Sequence, residues 1–251
     1  MMPVVSRLFP IVLTLLLWTG IGSHTGAQAS NGALPEPPPF TSSRTAFEQK
    51  PALYSFTPNG VIMTYRPGIG WYFNPLSVAQ YTLALYAGWV KGDTTAYNRM
   101  LANADWLYNN SVVRVDHIGR SFRTYEYNFP QPIFRTPAGW HSALTDATAI
   151  SALFAVTSAS GNSAFAERAK EILLPFEVLL ADGGSRTILA DRETVWYEEV
   201  AHREAPSTRI LNGHIYTISL LEWYGEQALN SQGPTTGQTG NAGATICFTS
   251  I

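Results

Sequence analysis

Cysteine is all but missing: Cys247 is the only one in 251 residues, so no intramolecular disulfide can hold the fold and stability must come from packing. Charge is scarce too. Lys and Arg number 16 and Asp and Glu 18, 14% of the chain with a net charge of -2. Neither sign forms a run, which argues against a nucleic-acid partner held by phosphate contacts. No glycine-rich phosphate loop is present, Gly183-Gly184 reading as a turn, so no nucleotide is implied. His24, His117, His141, His202 and His214 lack the tight spacing of a zinc site, and no metal is expected.

What is present is apolar and aromatic. With 45% hydrophobic residues, seven Trp and twelve Tyr, the chain can bury the core of one domain of about 200 residues. Aromatic rings with a polar edge suit sugar faces as well as cores, with core packing accounting for most of them. A charged polymer would have to be gripped locally, by a few Arg, Asn and aromatic groups.

The N-terminus has the three parts of an export signal. Arg7 supplies the positive charge, Leu8 to Ile21 the apolar stretch, and Ala27-Gln28-Ala29 a small-residue cleavage site. Residues 1–29 are therefore set aside as a signal peptide and the mature chain is expected to be secreted or periplasmic, an uncleaved anchor being the alternative. Residues 30–51, with Pro35 and Pro37 to Pro39, have no apolar period and read as a disordered linker.

Helical spacing begins at Asn74-Pro75, where Asn74 can cap free N–H groups and Pro75 sits where its missing donor does no harm. Leu76, Ala79, Leu83 and Tyr86 continue it. Lys91-Gly92-Asp93 ends this helix, Asp93 or Thr94 caps the next, and the two form a hairpin. A second hairpin is predicted from Trp140–Ala159, a Gly161-Asn162 turn and Phe165–Leu180, with Pro175 kinking or ending the last. A further helix, Leu211–Leu229, has no clear mate. Ser111–Arg135 and Arg186–Glu198 have strand character. The expected fold is mainly α: a partial α/α toroid of helical hairpins with short β-hairpin insertions, in a domain spanning 52–229. Residues 230–251 are polar, without period, and expected to be disordered.

Three segments carry a resemblance. Tyr72 to Tyr81 is similar to a Y-N-P-L-x-x-A-Q-Y pattern. Trp140-His141-Ser142-Ala143-Leu144, followed by Ala149-Ile150-Ser151, is similar to W-x-S-x-M-x-Q-G-x-A-I-S. Trp196-Tyr197-Glu198-Glu199 with Leu211-Asn212-Gly213-His214-Ile215-Tyr216 is similar to W-Y-E-E-Y-P and V-L-N-G-F-x-Y. In this order they resemble the C-terminal catalytic domain of the D-glucuronyl C5-epimerases, the heparosan-glucuronate 5-epimerase type. The chain departs from the pattern at Val200, where the family has Tyr, at an insertion around Ala201 to Glu204, and at Asp146-Ala147, where the family has Gln-Gly. The family's stretch beyond the last matched helix has no counterpart before Ile251, so the domain is expected to be C-terminally truncated, a natural flexible tail being the alternative.

The resemblance implies an isomerase that converts glucuronate to iduronate within a polysaccharide of the glycosaminoglycan or heparan sulfate kind, without an organic cofactor. Such chemistry needs a base, an acid on the opposite face of C5 and groups that stabilise an enolate-like intermediate. Glu198 and Glu199 point to opposite faces of a strand, so only one can enter the site. By resemblance it is Glu199, with Glu198 structural; a solvated surface acid is the alternative for either. His202, in the insertion, could replace the missing phenol as proton donor. Asn212 and Tyr216 share a helix face and by resemblance bind substrate, in a set completed by Tyr197 and Ser142; a helix cap is the alternative for Asn212 and core packing for Tyr216. Arg209 is the nearest cation and could clamp a carboxylate, a surface role being the alternative. Tyr125 and Tyr127 could line a sugar groove or pack against a helix. Two other outcomes share this sequence: a polysaccharide lyase on the same toroid, and an inactive remnant that binds glycan.

Overall fold

The element that organises the molecule is the least amphipathic one. In the computed structural model, which describes residues 34–231, α4 (Ala143–Ser160) is buried continuously from Ala143 to Val156. A helix apolar on every side must be covered on every side. It is, by α2 (Pro75–Val90), α3 (Ala96–Asn110), α5 (Ser163–Leu173) and α6 (Leu211–Asn230). Length and composition alone would let α4 cross a membrane, but 78% of it is buried inside the protein. The export signal, Cys247 and the tail from residue 232 lie outside the described residues.

The helix boundaries follow local chemistry. Asn74 Oδ1 accepts from the Leu76 N–H at 3.1 Å and starts α2. Asp93 Oδ1 accepts from the Thr95 N–H just before α3. Gly161, at φ 72°, takes the left-handed turn that ends α4, a conformation that glycine adopts without strain. Asn162 then caps α5, which stops at Leu173 as Pro175 enters a short 3-10 turn. These are the two hairpins expected. The helix expected to lack a mate has one: α6 packs on α4, where Ser151 Oγ donates to the Leu220 carbonyl at 3.4 Å.

The second hairpin begins three residues later than its spacing suggests. Trp140 and His141 are not helical; they bridge to Tyr127 and Ala201 in extended form, and Ser142 becomes the cap, its Oγ accepting from the Thr145 N–H. The two strand-like stretches form two-stranded ribbons, β4 (Val112–Val115) with β5 (Ser121–Thr124) and β6 (Arg186–Ile188) with β7 (Val195–Tyr197). A third sheet was not anticipated. β1 (Tyr54–Phe56), β2 (Ile62–Arg66) and β3 (Gly70–Tyr72) run antiparallel, with Thr64 opposite both Tyr54 and Tyr72.

The Pro-rich segment also departs from its linker reading over residues 34–51. Pro38 and Phe47 are buried and α1 (Thr45–Glu48) is a short helix. The segment is held through its backbone: Tyr86 donates its phenol to the Pro35 carbonyl at 2.6 Å, and Trp223 Nε1 donates to the Glu36 carbonyl at 3.1 Å. Composition does not register such contacts, because any residue type supplies the carbonyl.

Candidate active site

After β7 the chain turns between the first turns of α4 and α6, and the two acids part. Glu198 is fully buried. Its carboxylate accepts from Ser207 Oγ, from Thr208 N–H and Oγ1, and from the Arg209 N–H. Its backbone carbonyl accepts from the Ala143 N–H at 2.9 Å. Four donors on one buried carboxylate make Glu198 a structural tie that fixes the entry to α6 against the entry to α4.

Glu199 faces the other way. It is half-buried, and Oε2 is buried with no hydrogen-bond partner among the described residues. Burial pushes its pKa above the ordinary 4.5. Behind it stands Gly213 of α6, where any Cβ would collide with the Glu199 carboxylate. The glycine in this helix is thus a space requirement imposed by the acid. His214, next along, pins β7 from the same helix: its Nδ1 accepts from the Tyr197 N–H at 3.1 Å and its ring stacks on Trp196 at 4.2 Å.

Glu199 opens into a cleft of about 320 Å³. One wall carries Glu199, Val200 and Ile210; Arg66 and Tyr72 enter from β2 and β3. Tyr127 and Trp140 contribute a stacked pair, with ring centroids 4.0 Å apart and planes 6° from parallel. The Tyr127 phenol is paired to Thr145 Oγ1 at 2.8 Å and donates to Asn74 Oδ1 at 3.2 Å. The cap of α2 and the first turn of α4 are thereby tied across the cleft.

Arg66 is the one cation of this lining and Glu199 its one acid. The guanidinium lies 4.2 Å over the Phe129 ring and donates to Gln131 Oε1 at 3.2 Å; among the described residues no carboxylate pairs with it. Tyr72 stands beside Arg66 and Asn74; burial raises its phenol pKa, and the neighbouring guanidinium works in the opposite direction. A larger groove of about 590 Å³, between Phe56–Gly60 and Asn98–Ala102, has no acid in its lining, and its Arg99 is engaged with Glu48.

Of the residues expected to form the site, Glu199 and Ser142 line the cleft. His202 does not: its Nδ1 accepts from the Glu204 N–H at 3.2 Å, and burial lowers its pKa. Tyr197 packs edge-on against Phe176 at 5.4 Å. Arg209 is exposed at φ 49° and meets Glu198 through its backbone. Asn212 and Tyr216 are exposed on α6, Tyr216 against the ring of Phe40 at 5.0 Å. Tyr127 lines the cleft, whereas Tyr125 is core, its phenol donating to the Leu107 carbonyl. Arg66, Gln131 and Phe129 were not anticipated from sequence, since they come from the unforeseen sheet and the loop after β5; Tyr72 opens the first matched segment, which is its signal, although sequence alone gives it no role in the site.

Asp146, one of the departures from the family pattern, braces the cleft from below. Buried in the first turn of α4, it accepts from Thr124 Oγ1 at 2.8 and 3.0 Å and from the Tyr125 N–H at 3.3 Å, and lies 3.4 Å from His141 Nδ1. Desolvation raises its pKa, partly offset by His141 and the Thr124 hydroxyl. His141 in turn exchanges backbone hydrogen bonds with Ala201, at 3.0 and 2.8 Å. The carboxylate therefore holds, through His141, the turn after β7 that carries Glu199.

Comparison with known proteins places these residues in a lineage. Residues 119–244 match the family described as D-glucuronyl C5-epimerase C-terminus. Over 117 residues the chain is 30% identical to the D-glucuronyl C5-epimerase of Caenorhabditis elegans, covering 47% of this chain and 18% of that protein. Over 125 residues it is 26% identical to an uncharacterized protein of Methanocaldococcus jannaschii, covering 49% of this chain and 40% of that protein. The chain thus spans less than half the length of either relative. The matched residues include α4, the turn of Glu198 and Glu199, and α6, and the chain belongs to the D-glucuronyl C5-epimerase C-terminal family.

Proposed function

We propose that this chain acts on a uronate residue within a polysaccharide, inverting glucuronate to iduronate by removing the C5 proton and returning one from the opposite face. The observation that carries this reading is the presence in one cleft of a half-buried carboxylate, Glu199, and a cation, Arg66, neither of which has an ionic partner among the described residues. The C5 proton of a uronate is weakly acidic, and charge left by its removal spreads into the neighbouring carboxylate. A fixed guanidinium at that carboxylate lowers the barrier, and a base with a raised pKa is better matched to the task than an ordinary Glu.

The remaining lining suits a sugar. The Tyr127–Trp140 stack and Phe129 offer apolar surface to ring faces, while Gln131, Asn74 and Ser142 offer partners for hydroxyl groups. A volume near 320 Å³ is at the small end for ligand clefts and fits one ring of a polymer whose neighbours continue into solvent. Asn212 and Tyr216, exposed beside Gly213, would meet those neighbours. An exported location, read from the N-terminal signal, accords with a polymeric substrate. We read the helix pairs around α4 as part of an α/α toroid.

The test is product analysis on a glucuronate polymer. Iduronate should form with no new ultraviolet absorbance, and Glu199→Gln should abolish it. New absorbance from an unsaturated end would identify a lyase instead.

A further inference from the structure

The proton donor opposite Glu199 is the component that the family pattern leaves open, because Val200 stands where the family has Tyr. The cleft holds two phenols. Tyr127 is committed: it is 5% exposed, paired with Thr145 and Asn74, and stacked on Trp140. Tyr72 is half-buried, packs edge-on against Phe129 at 5.5 Å, and has its phenol beside Arg66 and Asn74. It arrives from the β1–β3 sheet, whereas Glu199 arrives from the β6–β7 ribbon and is backed by α6. The two groups therefore enter the same cleft from separate elements.

We propose that Tyr72 is the acid that protonates C5 on the face opposite Glu199, with Arg66 stabilising both the intermediate and the phenolate that results. The inference rests on Glu199 being the base. The Glu199 carboxylate takes the C5 proton, and the electron pair of that C–H bond moves into the substrate carboxylate. The Tyr72 O–H bond then breaks as a new C5–H bond forms on the other face. Glu199 is left protonated and Tyr72 ionised beside Arg66, and exchange with water resets both. Burial keeps the phenol protonated at neutral pH, and the adjacent guanidinium favours the phenolate at the moment it forms.

The experiment separates exchange from inversion. In heavy water with a glucuronate polymer, the wild type should take up deuterium at C5 and produce iduronate. Tyr72→Phe should lose inversion by on the order of 10²–10⁴-fold while Glu199 continues to exchange the C5 proton with retained configuration. Fluorotyrosine placed at 72 keeps the shape and is a stronger acid, so the alkaline limb of inversion should move to lower pH. That readout serves if Phe at 72 disturbs folding. Inversion by Tyr72→Phe at the wild-type rate, or an alkaline limb indifferent to fluorination, overturns the proposal and leaves Glu199 as base. Absence of exchange in the wild type removes the base, and the proposal with it.

Discussion

Replacing Glu199 by Gln is expected to abolish turnover and to stabilise the fold at neutral pH. The carboxylate has a buried oxygen without a partner among the described residues and a pKa raised by desolvation, so ionising it in the folded state is harder than in the unfolded chain. Glu and Gln both leave that hydrogen bond unmade, so they differ by the cost of the charge, which solvent partly screens at a half-buried site. Gln has nearly the same shape and no charge, so a gain on the order of 1 kcal/mol is expected, a trade of stability against activity seen at many active sites. For a fold of this size that is a rise in Tm of about 2–4 °C. The sign with pH follows from linkage: a carboxyl whose folded pKa is raised favours the folded state when protonated, and this contribution is lost as pH rises through the unfolded pKa toward the folded one. The gap between variant and wild type should therefore be small in acid, open as pH rises past 4.5, and level off above the raised pKa. Thermal unfolding by circular dichroism across pH 4 to about 7.5 measures it. A lower Tm for Glu199→Gln at neutral pH, or a gap that persists unchanged in acid, would refute the reasoning.

Three further substitutions test the surroundings of Glu199. Gly213→Ala puts a methyl group into the carboxylate; activity should fall at least tenfold, with helix content by circular dichroism unchanged. Asp146→Ala strips Thr124, Tyr125 and His141 of their shared partner. It should cost about 1–3 kcal/mol in denaturant unfolding, as leaving buried donors without their acceptor does. His202→Ala should keep wild-type turnover, because the imidazole lies outside the cleft lining and serves the Glu204 N–H; a loss of a hundredfold or more would restore it as a proton donor.

Much of the helical scaffold could be read from sequence because its signals are local. Asn74-Pro75, Gly161-Asn162 and Pro175 act within a turn of where they stand, and the structure places a helix boundary at each. Trp140 and His141 misled because their extended form depends on pairing with Tyr127 and Ala201, contacts that no window of spacing contains. The β1–β3 sheet was invisible for a different reason: strands of three to five residues are too short to establish an alternation. That omission hid the cation of the candidate site, since Arg66 lies on this sheet, and left Tyr72 without a role. Glu199 stood out through its motif; its contrast with Glu198 was expected from strand alternation, but β7 ends at Tyr197 and the two acids part in the turn that follows. The backing of Glu199 by Gly213 was not legible, because it depends on how α6 crosses the turn after β7.

The central claim is that a carboxylate in this cleft removes the C5 proton of a uronate. Deuterium incorporation at C5 of a glucuronate polymer, followed by NMR in heavy water with purified protein, measures that step whether or not inversion follows. Incorporation is expected with the wild type and none with Glu199→Gln. Equal incorporation by both, or none by the wild type, would contradict it.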